Sequence, residues 1–406
     1  MVIQVMWMAA ETDPDTKTMI QRAKRTRWGG QKDLCLWSNR AGDSAAVLLE
    51  DFKNKFSMCG DGNMNPSARG CLLHEVYHMS FSVTYPFSDK DLFLPNLHIH
   101  VSLELLTPAV KQLIRNHINQ AFPPGSKVCA YIEENLQKAF PEFALLSLAE
   151  IYDHLVSICY NWRTNPVTSK HLFRVIEGMS GEGALSMASL AEGWLTKSFD
   201  QKWNVLHDIN CCGGLRHFTL ALCATVQFAL QHHGVECKSY VWVHRGTSKR
   251  NRENIEGFKS SGRAQCVINA EHTRPRISHC LVLGDILEVI GVVEQPKTSV
   301  LNFCPDFVDT LSTVGCPEDK GVATCLSAFG AKTPKDFKLF GTKLSEDWLK
   351  DLARATVHTG EVLCEKNGKW TVGKKDELSQ SEAYTPEFGA EYIAAYKRWL
   401  LAMGEL

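Results

Sequence analysis

The stretch from His207 to His244 constrains this chain more than any other. It opens on Cys211-Cys212 and Gly213-Gly214, then carries Leu215, Phe218, Leu222, Val226, Ala229 and Leu230, mostly three or four residues apart. That spacing gathers the apolar side chains on one helix face and predicts a helix running to Gly234, a residue suited to the left-handed position after a helix. Beyond it Ser239, Val241 and Val243 alternate with Tyr240, Trp242 and His244, the pattern of a half-buried strand. A thiol at a helix start faces free backbone N–H groups and the positive end of the helix dipole, and both favour the nucleophilic thiolate. Cys212 is therefore the candidate nucleophile, with Cys211 beside it.

Candidate partners follow downstream. Ser278 to Leu283 reads as a strand, Gly284-Asp285 as a two-residue turn, and Ile286 to Val293 as the returning strand. A turn centred there pairs Leu281 with Glu288 and His279 with Ile290, which puts Glu288 diagonal to His279 on one face. A histidine oriented by a carboxylate serves a nearby cysteine as general base and acid. Cys212, His279 and Glu288 thus form a candidate catalytic triad.

The order of these features is a cysteine at a helix start, a helix ending in "HHG", a strand, a strand opening on histidine, and an acid on the next. It resembles the transglutaminase-like core shared with arylamine N-acetyltransferases and, more distantly, papain-like enzymes. "QHHGVECKSYVWV" and "HCLVLGDILEVIG" carry the likeness, over roughly residues 200–295. The resemblance implies an α+β fold in which a helix packs on an antiparallel sheet. It also implies acyl or aminoacyl transfer, or hydrolysis, through a thioester on Cys212, with the backbone N–H groups at 213–215 as oxyanion hole. No cofactor is implied. Thr219 stands at that family's usual nucleophile spacing, so a catalytically inactive binding module is an alternative.

Residues 245–263 interrupt this core with six Arg or Lys residues. Lys249, Arg250 and Arg252 are candidate substrate-binding residues for a polyanion, such as a phosphate-bearing carrier or tRNA. A tRNA-consuming version of the same chemistry is an aminoacyl-tRNA-dependent cyclodipeptide synthase of the arginine-containing type.

The 406 residues divide into an N-terminal region with an antiparallel hairpin (1–106), a helical region (107–200), the core (201–300) and a C-terminal α/β extension (301–406). In the first, HEVYH at 74–78 matches a zinc-binding pattern that requires a helix. The alternation over 77–85 and again over 97–105 predicts two paired strands instead, with His78, His98 and His100 on their polar faces and a histidine–metal enzyme as a further alternative. Helices are expected at 107–122, 126–140, 143–161, 169–198 with breaks near Gly178 and Gly181, 345–355, and 386–402 beginning at Pro386. Residues 362–372 read as a hairpin turning at Asn367-Gly368.

A net charge of −1 gives no global field toward nucleic acid or a membrane surface. Fifteen cysteines, an odd number without paired spacing, read as free thiols in a reducing, cytoplasmic setting. No run of 18 apolar residues is present, so no membrane contact is expected. The acyl donor, the acceptor and the oligomeric state are not legible.

Overall fold

The computed structural model describes residues 106–406, apart from 167, 203–206, 238, 242–247, 258–264, 317–320, 332–334, 356–362, 367–368 and 373–382, and two short strands before them. Those strands, β1 (Leu36–Ser38) and β2 (Phe81–Val83), pair antiparallel. The expected partner strand at 97–105, and with it His78, His98 and His100, lies outside the described residues, as does the HEVYH motif.

Three helices follow, close to their expected bounds. Helix α1 (Pro108–Ala121) starts at the Thr107 cap with proline in its first turn and buries Ile114 and Ile118. Helix α2 (Lys127–Ala139) is capped by Ser126. Helix α3 (Leu148–Thr164) opens on a Ser147/Glu150 capping box.

The next segment departs from the expected helix at 169–198. It forms β3 (Phe173–Gly178), α4 (Ala184–Ala191) and β4 (Thr196–Phe199). Helix α5 (Cys212–Cys223) begins where expected but ends eleven residues before Gly234, and Thr225–Gly234 is strand β5. A strand covered on both faces reads as a near-continuous apolar run, and here its residues coincide with helical spacing. The reverse error occurs at 278–283. These residues lie in α6 (Gln265–Ile286), where Ser278 to Gly284 are buried all round and show no 3.6-residue period. The residues around Tyr240, expected as a strand, form a turn. Then come β6 (Ile290–Pro296), α7 (Pro305–Thr313), β7 (Val322–Cys325), β8 (Asp336–Gly341) and a short α8 (Glu346–Leu349). Strands β9 (Leu363–Lys366) and β10 (Lys369–Val372) pair with Lys366 opposite Lys369, the register of the expected two-residue turn. Helix α9 (Pro386–Met403) starts at its Thr385 cap and stops at left-handed Gly404.

The main sheet has six strands in the order β4-β3-β5-β6-β8-β7. The first four are mutually parallel, β8 runs against β6, and β7 against β8. The chain thus combines helices with a mixed sheet, as the α+β expectation has it, but the sheet is mainly parallel rather than antiparallel. Side chains alternate between two apolar layers. Val175, Leu230, Ile290 and Val292 face Phe388, Tyr392 and Tyr396 of α9, beside α4. Ile176, Ala229 and Val293 belong to the layer built with α1, α2, α3, α5 and α6. Among the described residues no helix is long and apolar enough to cross a membrane.

Candidate functional site

From β3 the chain crosses through α4 to β4 on one side, while β5 lies on the other. In open sheets of parallel strands, ligands bind outside the carboxyl ends of the strands where the order reverses in this way. Here that point is the crevice above β3 and β5.

Its backbone is drawn tight. A Cβ at Gly178 would lie 2.9 Å from both His233 Nδ1 and the Phe218 ring, so only glycine lets the end of β3 approach β5 and α5 this closely. Past it the loop takes three left-handed residues, Met179 (φ 55), Gly181 (φ 57) and Gly183 (φ 74). For methionine that conformation is strained, a feature that clusters at ligand sites. The loop is moored to the end of β4. Ser180 N donates to Phe199 O at 3.0 Å, and Gly181 N donates to Asp200 Oδ2 at 2.8 Å. The other carboxylate oxygen of Asp200 accepts from Lys202 N at 2.9 Å. Asp200 is only partly covered, at the strand tip.

Glu177, the last acid of β3, is fully buried. Its Oε2 accepts from Ser186 N at 2.8 Å and from Ser186 Oγ at 2.5 Å, in the first turn of α4. Its Oε1 has no hydrogen-bond partner. Burial pushes its carboxyl up to about 7, against the lowering effect of the Ser186 hydrogen bonds and of the Leu185 backbone N–H.

Glu177 pairs in register with His232 of β5, and Gly234 pairs with Glu294 of β6, so Glu177, His232 and Glu294 share one sheet face. Two tyrosines roof it. His232 Nδ1 lies 3.1 Å from the Tyr392 hydroxyl and Nε2 3.0 Å from the Tyr384 hydroxyl. Burial lowers His232 to about 3, so the ring is neutral. Burial, and after it the nearby Glu294 carboxylate, pushes the Tyr384 phenol up and keeps it protonated. A neutral imidazole carries one N–H, so one of the two tyrosines donates to His232 and the other accepts from it. Lys335 Nζ lies 3.6 Å from Glu294 Oε1.

The residues singled out in the sequence lie elsewhere. Cys212 is the half-buried first residue of α5. The cap itself is Cys211, whose Sγ accepts from Gly214 N at 3.2 Å and donates to Asp208 O at 3.0 Å. His279 is buried within α6, with Nδ1 2.8 Å from the Tyr152 hydroxyl and Nε2 3.2 Å from Thr219 Oγ1. Glu288 stands in the turn before β6 at φ 57 and accepts from Gln227 Nε2 at 2.7 Å, near the start of β5. Because 278–286 is helix rather than hairpin, His279 and Glu288 share no strand face. Both nitrogens of His279 are held by Tyr152 and Thr219, and the triad is not assembled. In the insertion, Arg250 is buried, donates to Ile255 O at 2.6 Å and lies 4.8 Å over Tyr240. Arg252 lies 4.7 Å over Phe303. These two arginines pin the insertion to the core, and of the three candidate substrate-binding residues Lys249 and Arg252 are exposed.

Sequence reading missed Glu177, Asp200, Glu294 and Tyr384. A signal for the first two was present: an apolar run ending in an acid, glycines at 178, 181 and 183, then an acid nineteen residues past Gly181. That spacing approximates the nucleoside-binding pattern of strand, glycine loop, helix and ribose-binding acid. Comparison with known families, curated proteins and solved structures finds no match for this chain.

Proposed function

We propose that the crevice above β3 and β5 binds S-adenosylmethionine and that the chain is a methyltransferase. The observation that carries this reading is the carboxylate of Glu177 seated at the N-terminus of α4. In nucleotide-binding folds the helix that follows the first strand offers its free N–H groups to a phosphate. Here a side chain of the chain itself takes that place, and Glu182 and Asp200 add carboxylates around the loop, with Lys202 held by Glu182 at 2.8 Å. A pyrophosphate would meet repulsion there, and a cationic group would meet attraction.

Three further features support a single nucleoside. Asp200, on the tip of β4, suits a ribose diol as hydrogen-bond acceptor. The glycine loop leaves its surface open, since a Cβ at Gly181 would meet nothing within 4 Å. A dinucleotide site takes two mononucleotide-binding halves, whereas here β7 and β8 replace the second half with an antiparallel hairpin. The ligand chemistry that fits is a nucleoside with no phosphate and a cationic arm, which is that of S-adenosylmethionine. Glu177 Oε1, buried without a donor, suits the ammonium of that arm. When bound, the cofactor supplies an electrophilic methyl group. Thioester chemistry on Cys212, and the transglutaminase-like core with it, lacks support where His279 is committed to Tyr152 and Thr219.

Calorimetric titration with S-adenosylmethionine, NADH and ATP tests the proposal. Only the first is expected to bind, and Asp200→Ala should weaken it about tenfold or more, the loss of a charge-assisted hydrogen bond. Tighter binding of NADH or ATP, or no binding of S-adenosylmethionine, rejects it.

A further inference from the structure

A second recess opens where α2, α6, the start of α7 and the insertion at 253–256 meet, and it shares no lining residue with the glycine loop. Its volume of about 630 Å³ is that of a small-molecule site. Two of its walls follow the carboxyl ends of parallel strands: the insertion comes after β5, and Cys304 to Asp306 come after β6. Ligands bind on that edge of such a sheet. On a third wall Pro275 interrupts the hydrogen-bond ladder of α6. The insertion is fixed in advance. Asn251 Oδ1 accepts from Glu253 N at 2.8 Å and from Asn254 N at 2.7 Å, while Arg250 and Arg252 lie over Tyr240 and Phe303. A wall already in place adds little ordering cost to binding.

The lining selects the charge of the ligand. Glu253, Glu256, Glu271 and Asp306 stand against Lys127 and Arg274. Arg274 Nε donates to Asp306 Oδ2 at 2.8 Å, so these two offset each other. Glu271 is offset from outside the cavity by Arg250, at 3.5 Å. Among the described lining groups the balance therefore rests on Glu253 and Glu256 against Lys127, and it is negative. The two helix starts in the cavity do not reverse this sign. Ser126 Oγ already accepts from Cys129 N at 3.2 Å at the start of α2, and α7 starts on Pro305, which has no N–H, and the acid Asp306. Between the charges the surface is apolar, with Val128, Ile255 and Pro275 beside the ring of Tyr131. Arg276, which does not line the cavity, lies 6.0 Å from that ring's centroid, so the ring is already set in a cation-binding role.

We infer that this cavity binds an organic cation, an ammonium or guanidinium carried on a short apolar body. The head group meets the carboxylates of the insertion, and the body lies against Tyr131, Ile255 and Pro275. An anion of the same shape meets the same carboxylates as repulsion. The inference stands apart from the methyl-donor reading, because the cavity and the glycine loop have no residue in common.

The experiment uses the full chain and calorimetric titration with phenethylamine, with its isosteres phenylethanol and phenylacetate, and with the tripeptide Gly-Lys-Gly. Phenethylamine is expected to bind about tenfold more tightly than the alcohol or the acid. Glu253 and Glu256 are exposed on the insertion. The double variant Glu253→Gln, Glu256→Gln should weaken the amine about tenfold. Lys127 is exposed in the first turn of α2, and Lys127→Gln should tighten the amine. That opposite sign decides the matter if the double variant fails to fold. Asp200→Ala should leave amine binding unchanged. An aryl-azide derivative of phenethylamine should label the segments 126–131 or 253–256 on illumination. Tighter binding of the tripeptide assigns the same cavity to a basic side chain rather than a free amine. Equal binding of the alcohol, tighter binding of the acid, no binding of either cation, labelling of the glycine loop instead, or weaker amine binding in Lys127→Gln overturns the inference.

Discussion

Glu177 Oε2 accepts the backbone N–H of Ser186 at 2.8 Å, so a side chain from the end of β3 closes the N-terminus of the helix that β3 leads into. The same carboxylate keeps Oε1 without a donor in a fully buried place. This links loop geometry to ligand charge. The helix dipole and Ser186 hold the acid in position, and burial raises its pKa.

Ligand binding beside Glu177 should be linked to the release of a proton. The carboxyl is held near 7 in the folded chain against 4.5 as a reference. A cation brought against Oε1 favours the ionised form, so cofactor binding should expel a proton between about pH 5 and 7. Titrations at pH 6 in buffers of different ionisation enthalpy should give different apparent heats, and Glu177→Gln should remove the difference. Equal heats in all buffers for the wild-type chain would separate Glu177 from the ligand.

The same group acts on stability, and its sign is opposite to that of the histidines. Folded Glu177 holds its proton to higher pH than the unfolded chain does, so its contribution is lost as pH rises from about 4.5 to 7, on the order of 3 kcal/mol. His232, His233 and His279 are lowered by burial to about 3, and must be neutral to stay folded. Their contribution is present above about 6.5 and lost as pH falls toward 3. Three groups outweigh one, so urea midpoints should fall on acidification below pH 6.5. Glu177→Gln should gain stability relative to the wild-type chain near pH 7.5. A midpoint that rises from pH 6.5 to 5 contradicts this assignment.

Gly178 and Gly181 should separate packing from ligand contact. A methyl group at 178 meets His233 Nδ1 and Phe218 at 2.9 Å, and overpacking of this kind costs about 1–3 kcal/mol. At 181 there is open space, but φ 57 disfavours a side chain by about 1–2 kcal/mol. Gly178→Ala should lower the Tm in the absence of ligand. Gly181→Ala should lose cofactor affinity beyond its effect on Tm, because the added methyl group projects into the crevice. Equal affinity in Gly181→Ala and the wild-type chain would place the ligand elsewhere.

How much the sequence reveals depends on how far each segment's cover is one-sided. Helices α1, α2, α3 and α9 bury one stripe and carry caps at Thr107, Ser126, Ser147 and Thr385, so both pattern and bounds are readable. Strand β5 and the second half of α6 are covered on all sides, and full burial erases the period by which strand and helix are told apart. Exchanging the two produced the apparent His279–Glu288 hairpin. Pro275 inside α6 adds to the ambiguity, since proline commonly ends a helix. The site was hidden for another reason. Glu294 and Tyr384 are ninety residues apart, and only sheet register and the docking of α9 bring them together.

Cys212 and Thr219 provide the last contrast. If Cys212 were a nucleophile, Cys212→Ala would abolish activity and leave stability alone. Cys212 packs against the apolar layer that α2 and α6 share, so Cys212→Ala should leave the affinity for S-adenosylmethionine, as proposed above, unchanged. Thr219 Oγ1 instead satisfies His279 Nε2 at 3.2 Å, deep between α5 and α6. Thr219→Val removes that hydroxyl and leaves a buried ring nitrogen without its partner, a loss of about 1–3 kcal/mol. It should therefore lower the denaturant midpoint, whereas Thr219→Ser, which restores the oxygen, should recover most of it. Loss of cofactor affinity in Cys212→Ala with an unchanged unfolding curve would return the cysteine to the site.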